Sequence, residues 1–248
     1  MATSTLYVSD EYLLKNPDWH VAASPWKAGE ILKMLRRNHL KPQSLCDIGC
    51  GAGEILYILQ QYIDDRCVFQ GYDVAPRAIE MAKKRENDRL HVALGDFHTD
   101  DHATYDIILL IDVLQHIENC WSYLRDIHAQ SSYKILQLPL DIAAFPVVSN
   151  KVIDYYKAAG HLHFFTKDVA FALLRHNGYE IVDWFYTVPP IDTTPWRTVR
   201  SNPLKIVRKV VRVLKRGVQR LPGLLCYRIA PDLAVRLFGG WRLMVLLR

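Results

Sequence analysis

Between Leu45 and Glu54 the chain reads Leu-Cys-Asp-Ile-Gly-Cys-Gly-Ala-Gly-Glu, and no other stretch constrains its fold so strongly. A polar turn, Lys41-Pro42-Gln43-Ser44, precedes it, and the apolar run Ile55-Leu56-Tyr57-Ile58-Leu59 follows. A short apolar strand, a glycine turn and a helix start together make a site for a nucleotide-like ligand. The glycines let backbone N–H groups approach the ligand, and the helix N-terminus adds partial positive charge. A dinucleotide fingerprint requires G-x-G-x-x-G. Counted from Gly49 the third glycine falls on Glu54, and counted from Gly51 it falls on Leu56. Both counts fail. The pattern present is D-x-G-x-G-x-G, formed by Asp47, Gly49, Gly51 and Gly53.

A chain of 248 residues, half of them hydrophobic, can build one large domain or one domain with an appendage. It has no run of 18 uncharged apolar residues, and Met-Ala-Thr-Ser-Thr does not read as a signal peptide. The five cysteines (46, 50, 67, 120 and 226) form no C-x-x-C pair, which points to reduced thiols and a cytoplasmic protein. Cys46 and Cys50 read as small core or loop residues, and no metal is expected. The net charge of +5 hides an asymmetry. Residues 197–248 carry thirteen of the 31 basic residues and only Asp232 among the 26 acids, so the body is acidic and the C-terminal part strongly basic.

Along the chain, Pro25 stands where a helix commonly begins, and residues 26–38 read as helical with Ile31, Leu32 and Leu35 on one side. Residues 54–62 form a first crossover helix. The next strand, 67–72, ends at Asp73, twenty residues beyond Gly53, where a ribose diol needs a pair of acceptors. The same carboxylate can cap the helix that follows Val74-Ala75-Pro76; the two roles are compatible. A third strand, 90–94, leads into Gly95-Asp96-Phe97. His98, Asp100, Asp101 and His102 read as a solvated polar loop rather than a metal site. The fourth strand, 107–111, is a continuous apolar run suited to the centre of a parallel sheet, and it runs into Asp112-Val113-Leu114-Gln115-His116. Ligands of doubly wound sheets lie beyond the carboxyl ends of such strands, which places Asp112 and His116 at the site. His116 reads either as a general base or as a packing residue at a helix start. Strand five, 134–139, precedes a segment, 141–160, that is irregular or helical. His161 and His163 then fall on one side if extended, lining an acceptor pocket, serving as a base, or bracing a corner. Thr166 caps a helix over 167–176, and 180–187 forms a sixth strand.

Taken in order, these motifs resemble the class I S-adenosylmethionine (SAM) dependent methyltransferases of the small-molecule type. The resemblance covers roughly residues 25–188 and the last strand. It implies an α/β fold: a Rossmann-like, seven-stranded, mostly parallel sheet in the order 3-2-1-4-5-7-6 with helices on both faces. Residues 239–247 become the seventh strand, antiparallel and inserted beside the fifth. The implied organisation is a lid segment over 1–40, a SAM-binding core over 41–190, a basic helical insertion over 191–238 and a final core strand over 239–248. The resemblance implies SAM as cofactor and S-adenosylhomocysteine (SAH) as product. Asp47 and the three glycines would surround the methionine end, with Asp73 and Val74 at the ribose. Asp96 would accept from the adenine amino group, Phe97 would pack near the ring, and Asp112 would lie close to the methyl donor. Trp26 and Lys27 would cover the cofactor from the lid helix, which equally fits a helix docked on the sheet edge. Related quinone O-methyltransferases carry E-x-x-E-H where this chain has Asp112, Gln115 and His116, one carboxylate fewer, which speaks against a metal. The implied activity is methyl transfer to a small-molecule acceptor, a hydroxyl of a natural product, sugar or lipid-linked metabolite, with His116, then His161 or His163, as base. Transfer to an amine or peptide, and a SAM-binding partner subunit without activity, are the alternatives.

From Leu204 onward, apolar residues 204, 207, 211, 214, 218 and 221 fall on one stripe, and seven Lys/Arg between 205 and 220 fill the remainder. This is a basic amphipathic helix. It can lie peripherally on an anionic membrane, bind an acidic partner, or cover its own sheet with a solvated basic face. Few aromatics interleave with the charges, which disfavours nucleic acid.

Overall fold

The computed structural model describes residue 19 and residues 21–97, 103–193 and 203–248. His98, Asp100, Asp101 and His102 lie outside the described residues, as does most of the polar N-terminal segment. The described chain opens with a 3-10 turn, Val21–Ala23, and helix α1, Ser24–Arg37, which has Pro25 in its first turn and Arg36 and Arg37 in its last. Then follow β1 (Ser44–Ile48), α2 (Glu54–Leu59), β2 (Val68–Asp73), α3 (Pro76–Ala82), β3 (Leu90–Leu94) and β4 (Tyr105–Ile111). After α4 (Cys120–Asp126) come β5 (Ser131–Pro139) and α5 (Ala144–Val148). A π-helical stretch, Tyr155–Ala159, ends at Gly160, and α6 (Lys167–His176) and β6 (Ile181–Thr187) follow. Helices α7 (Pro203–Ile229) and α8 (Pro231–Phe238) precede β7 (Arg242–Leu247).

The seven strands lie in the order β3-β2-β1-β4-β5-β7-β6. All neighbours are parallel except β7, which runs antiparallel to both β5 and β6. The order and the reversed seventh strand are those the resemblance implies. Side-chain alternation divides the apolar residues into two cores. In β4, Ile108 and Leu110 point to the core beneath α4, α6 and α8, and Ile107, Leu109 and Ile111 to the core beneath α1 and α2. In β7, Leu243, Val245 and Leu247 take the first side, and Met244 and Leu246 the second. Central strands buried on both faces read as unbroken apolar runs, as these do.

Two local devices fix the sheet ends. Thr166 Oγ1 accepts the Val169 N–H at 3.2 Å and caps α6. A register shift between Ile181 and Asp183 in β6 accompanies a tie to α1, in which Arg37 donates to both Asp183 oxygens at 2.8 Å. Helix α1 therefore docks on the sheet through Ile31, Met34 and Leu35 while its first turn stays at the strand ends.

The stripe of α7 does not cover the sheet. Leu204, Val207, Val211, Leu214, Val218 and Leu221 are all exposed, and Lys209 is buried instead. The helix docks through its polar and small residues: Arg216 and Arg220 donate to the carbonyls of Ile191 and Pro189, and a Cβ at Gly223 would stand 2.9 Å from Trp241. Periodicity reveals that a stripe exists, whereas the direction it faces is set by tertiary contacts.

Candidate functional site

A cavity of about 470 Å³ opens at the carboxyl ends of β1, β2 and β4, where a doubly wound sheet places its ligands. Its floor is the loop after β1. Gly49 and Gly51 have φ of +74° and +55°, and a Cβ on them would come within 2.5 Å of Val113 and 2.7 Å of Trp19. Only glycine satisfies both the left-handed backbone and the close approach. The Gly49 and Cys50 N–H groups donate to the Tyr72 carbonyl at 2.8 and 3.0 Å, lashing the loop to the end of β2.

Asp73 ends β2 and organises this floor. Its Oδ2 accepts the Gly51 N–H at 2.8 Å and its Oδ1 the Ala75 N–H at 2.9 Å, so the capping role is real. Burial pushes its pKa up, and the N–H groups of Ala75, Gly51 and Val74 oppose that rise. Three N–H groups occupy three of the carboxylate's four acceptor sites, so the cap leaves capacity for one hydroxyl donor. Val74, Asp96 and Phe97 complete this end of the cavity, with the buried Phe97 ring edge-on to Tyr72 at 5.5 Å between centroids.

At the opposite end, Lys27 meets Asp112 at 2.9 Å and Arg242 approaches it at 3.4 Å. Burial alone would raise the Asp112 pKa, but the neighbouring Arg242 and Lys27 cations bring it down to about 2. Asp112 adopts φ of +60°, a strained position for a residue with a Cβ, at the strand end facing the cavity. Trp26 lines the same wall, with the Arg242 guanidinium 5.9 Å from its ring centre. Asp47 lies behind the lining, 1% exposed, and neither of its oxygens has a hydrogen-bond partner among the described residues. Burial raises its pKa to about 8, against the pull of Lys27. Gly53, at φ of +75°, starts α2 and also lies outside the cavity lining.

The three candidate histidines separate by their bonds. His116 lines the cavity, but both its nitrogens are engaged: Nδ1 donates to the Gly160 carbonyl at 3.0 Å, which leaves Nε2 to accept from the Gln115 amide at 3.1 Å. Burial, with a contribution from nearby His161, lowers its pKa to about 4, so it stays neutral at physiological pH. His161 also lines the cavity, edge-on to His116 at 5.0 Å, and its Nδ1 lies 2.6 Å from Asp141 Oδ2. His163 is not part of the lining; its Nε2 donates to the carbonyls of Ile117 and Glu118 at 2.9 and 3.1 Å.

Three further residues belong to the site. Asp141 lies two residues past β5, on the edge where ligands bind. Arg242 stands opposite Pro139 in the β5–β7 register, which brings it to that same edge. Trp19 leans on Gly51. Strand order would have flagged the first two, whereas nothing in the sequence around Trp19 distinguishes it.

A protein-family profile described as a methyltransferase domain matches residues 24–183, the span that carries the loop, both carboxylate ends and all three histidines. The chain belongs to this family. It is a class I SAM-dependent methyltransferase. Over 88 residues it is 33% identical to (S)-coclaurine N-methyltransferase of Thalictrum flavum subsp. glaucum, a match spanning 34% of this chain and only 24% of that protein. Among solved structures, its fold resembles magnesium protoporphyrin IX methyltransferase of Synechocystis PCC 6803 with bound SAH (TM-score 0.54, 18% identity, 69% of this chain and 80% of that one). It also resembles the N-methyltransferase NodS of Bradyrhizobium japonicum WM9 in complex with SAH (TM-score 0.55, 13% identity, 90% and 86%).

The residues fit the cofactor. Gly49 and Gly51 hold the cavity floor at left-handed φ, where a Cβ would meet Val113 and Trp19, and Asp73 stands at the tip of β2.

Proposed function

We propose that this methyltransferase acts on a hydroxyl oxygen of a small molecule, with His161 as the general base. Bound SAM supplies an electrophilic methyl group on a sulfonium, so the chain's task is to orient the acceptor, exclude water and accept its proton. The observation that carries the reading is the 2.6 Å contact between His161 Nδ1 and Asp141 Oδ2. A carboxylate accepting from Nδ1–H holds the imidazole in the tautomer whose Nε2 lone pair can take a proton, and it stabilises the imidazolium that results. His116 lacks such an arrangement, because its accepting nitrogen already receives the Gln115 amide.

On this reading Gly49, Gly51 and Asp73 hold the cofactor from the β1–β2 side, and Asp96 and Phe97 lie at its adenine end. Lys27, Asp112 and Arg242 form a charged wall suited to the amino and carboxylate groups of its methionine part. The acceptor would enter between that wall and the loop carrying His161, and its proton would move to His161 Nε2. A second reading, methylation of an amine, draws on the likeness to (S)-coclaurine N-methyltransferase. A neutral amine needs orientation but no base.

SAH formation with panels of hydroxyl and amine acceptors tests both. For a hydroxyl acceptor, His161→Ala should lower kcat by about 100-fold or more, the usual scale of base catalysis, with SAM affinity intact. Turnover confined to amines and unchanged in His161→Ala would replace the first reading with the second.

A further inference from the structure

Helix α7 presents an apolar face to solvent that neither the fold nor the methyl-transfer site uses. Leu204, Val207, Val211, Leu214, Val218 and Leu221 are 55–71% exposed, and the stripe runs on to Leu225 and Ile229. Exposed apolar patches of this length mark an interaction site. At 27 residues the helix extends about 40 Å. Arg208 and Lys215 form an exposed basic shoulder beside the stripe, next to Arg212, which pairs with Asp192 at 3.9 Å. The helix carries eight Lys/Arg and no acid. No described helix is long and apolar enough to cross a membrane.

We propose that α7 lies in the plane of an anionic phospholipid bilayer, with its stripe among the acyl chains and its basic shoulder at the headgroups. Charge complementarity selects this occupant. A second copy packing α7 on α7 would set eight like charges against eight, whereas an anionic lipid surface supplies both an apolar phase and the opposite charge. The opposite flank is occupied by the body, to which Arg216 and Arg220 are tied at residues 191 and 189, so the stripe remains free to insert. Helix α8 also exposes Leu233 and Leu237. Pro189 and Pro190 also line the cavity, so an anchored α7 would hold the cavity rim at the lipid surface.

The test is co-sedimentation of the full chain with phosphatidylcholine vesicles, with and without about 30% phosphatidylglycerol, at near-physiological salt. Binding should be about tenfold or more tighter on the anionic vesicles. It should fall at least about tenfold in Leu214→Asp, and also in Arg208→Glu/Lys215→Glu, which leaves the stripe intact. Calorimetric SAM binding in each variant reports a folded chain and separates failure of the anchor from failure of the enzyme reading. Equal affinity for both vesicle types, or anionic binding that survives Leu214→Asp, would overturn the proposal. So would a dimer in sedimentation equilibrium that Leu214→Asp dissociates, since the stripe would then be an interface between copies.

Discussion

The two halves of the cavity are built on different principles. On the side of β1 and β2 the backbone shapes the wall: glycines at left-handed φ, whose N–H groups are bonded within the chain, and one carboxylate bonded to main chain. On the side of β4 and β5 side chains shape it, through the Lys27–Asp112–Arg242 cluster, the Gln115–His116 pair and the Asp141–His161 pair. A backbone site tolerates little, because the requirement is for the absence of a side chain at a fixed φ. A side-chain site is decided by which polar group finds which partner.

The sharpest way to break this comparison is to put a side chain into the backbone half. Gly51→Val must adopt φ near +55° and seat a Cβ 2.7 Å from Trp19. Loss of SAM affinity by about a hundredfold or more should follow in calorimetry, since strain and collision both act at the binding surface. Retained affinity would show that the loop can be rebuilt and is not the cradle it resembles.

Next in size is the contrast between two histidines that share the cavity. His161→Ala should lower kcat on a hydroxyl acceptor by about 100-fold or more, and His116→Ala by less than about tenfold, because the His116 lone pair is already committed to Gln115. Asp141→Asn should resemble His161→Ala in kcat, since an amide cannot stabilise the imidazolium. Equal losses at His116 and His161 would mean that the pair works as one unit.

This asymmetry also explains what the sequence disclosed. The D-x-G-x-G-x-G run, the acid at the end of β2 and the continuous apolar runs of β4 and β7 are local patterns; β2 and β4 keep their expected bounds within two residues, whereas β7 starts three residues later than expected, at Arg242. The sheet order followed from the resemblance those patterns carried. Which histidine pairs with a carboxylate was not legible. His116 sits in the stronger motif, but its partner Gly160 is 44 residues away, and the Asp141 that serves His161 is 20 residues away. The direction of the α7 stripe was hidden for the same reason, since the contacts that turn it outward come from residues 189–192 and Trp241.

One carboxyl in the backbone half has no hydrogen-bond partner among the described residues and sharpens the comparison through pH. Burial raises the Asp47 pKa to about 8, above its ordinary value of 3.8. The folded state therefore keeps a proton that the unfolded chain has lost, and stability falls as pH rises from about 4 towards 8. Asp47→Asn removes that ionisation. Its gain in unfolding free energy over the natural chain should be larger at pH 8 than at pH 5, by about 1 kcal/mol or more. Urea denaturation at the two pH values checks this, and an equal effect at both would place the proton elsewhere.

The smallest effect is expected at His163, in the side-chain half but outside the cavity lining. Its Nε2 donates to the carbonyls of Ile117 and Glu118, while its own N–H and that of Leu162 donate to the Gln115 carbonyl. These bonds fasten the segment carrying His161 to the loop after β4. His163→Ala removes two of them and leaves the Gln115 clamp in place. The loss in stability should be about 1 kcal/mol, the scale of a partly buried hydrogen bond. In kinetics the acceptor KM should rise severalfold while kcat changes less, because His161 keeps its carboxylate and loses only the bracing behind it. A drop in kcat as deep as that of His161→Ala would instead place His163 in the proton's path, and the bonds to Ile117 and Glu118 would then have to open during turnover.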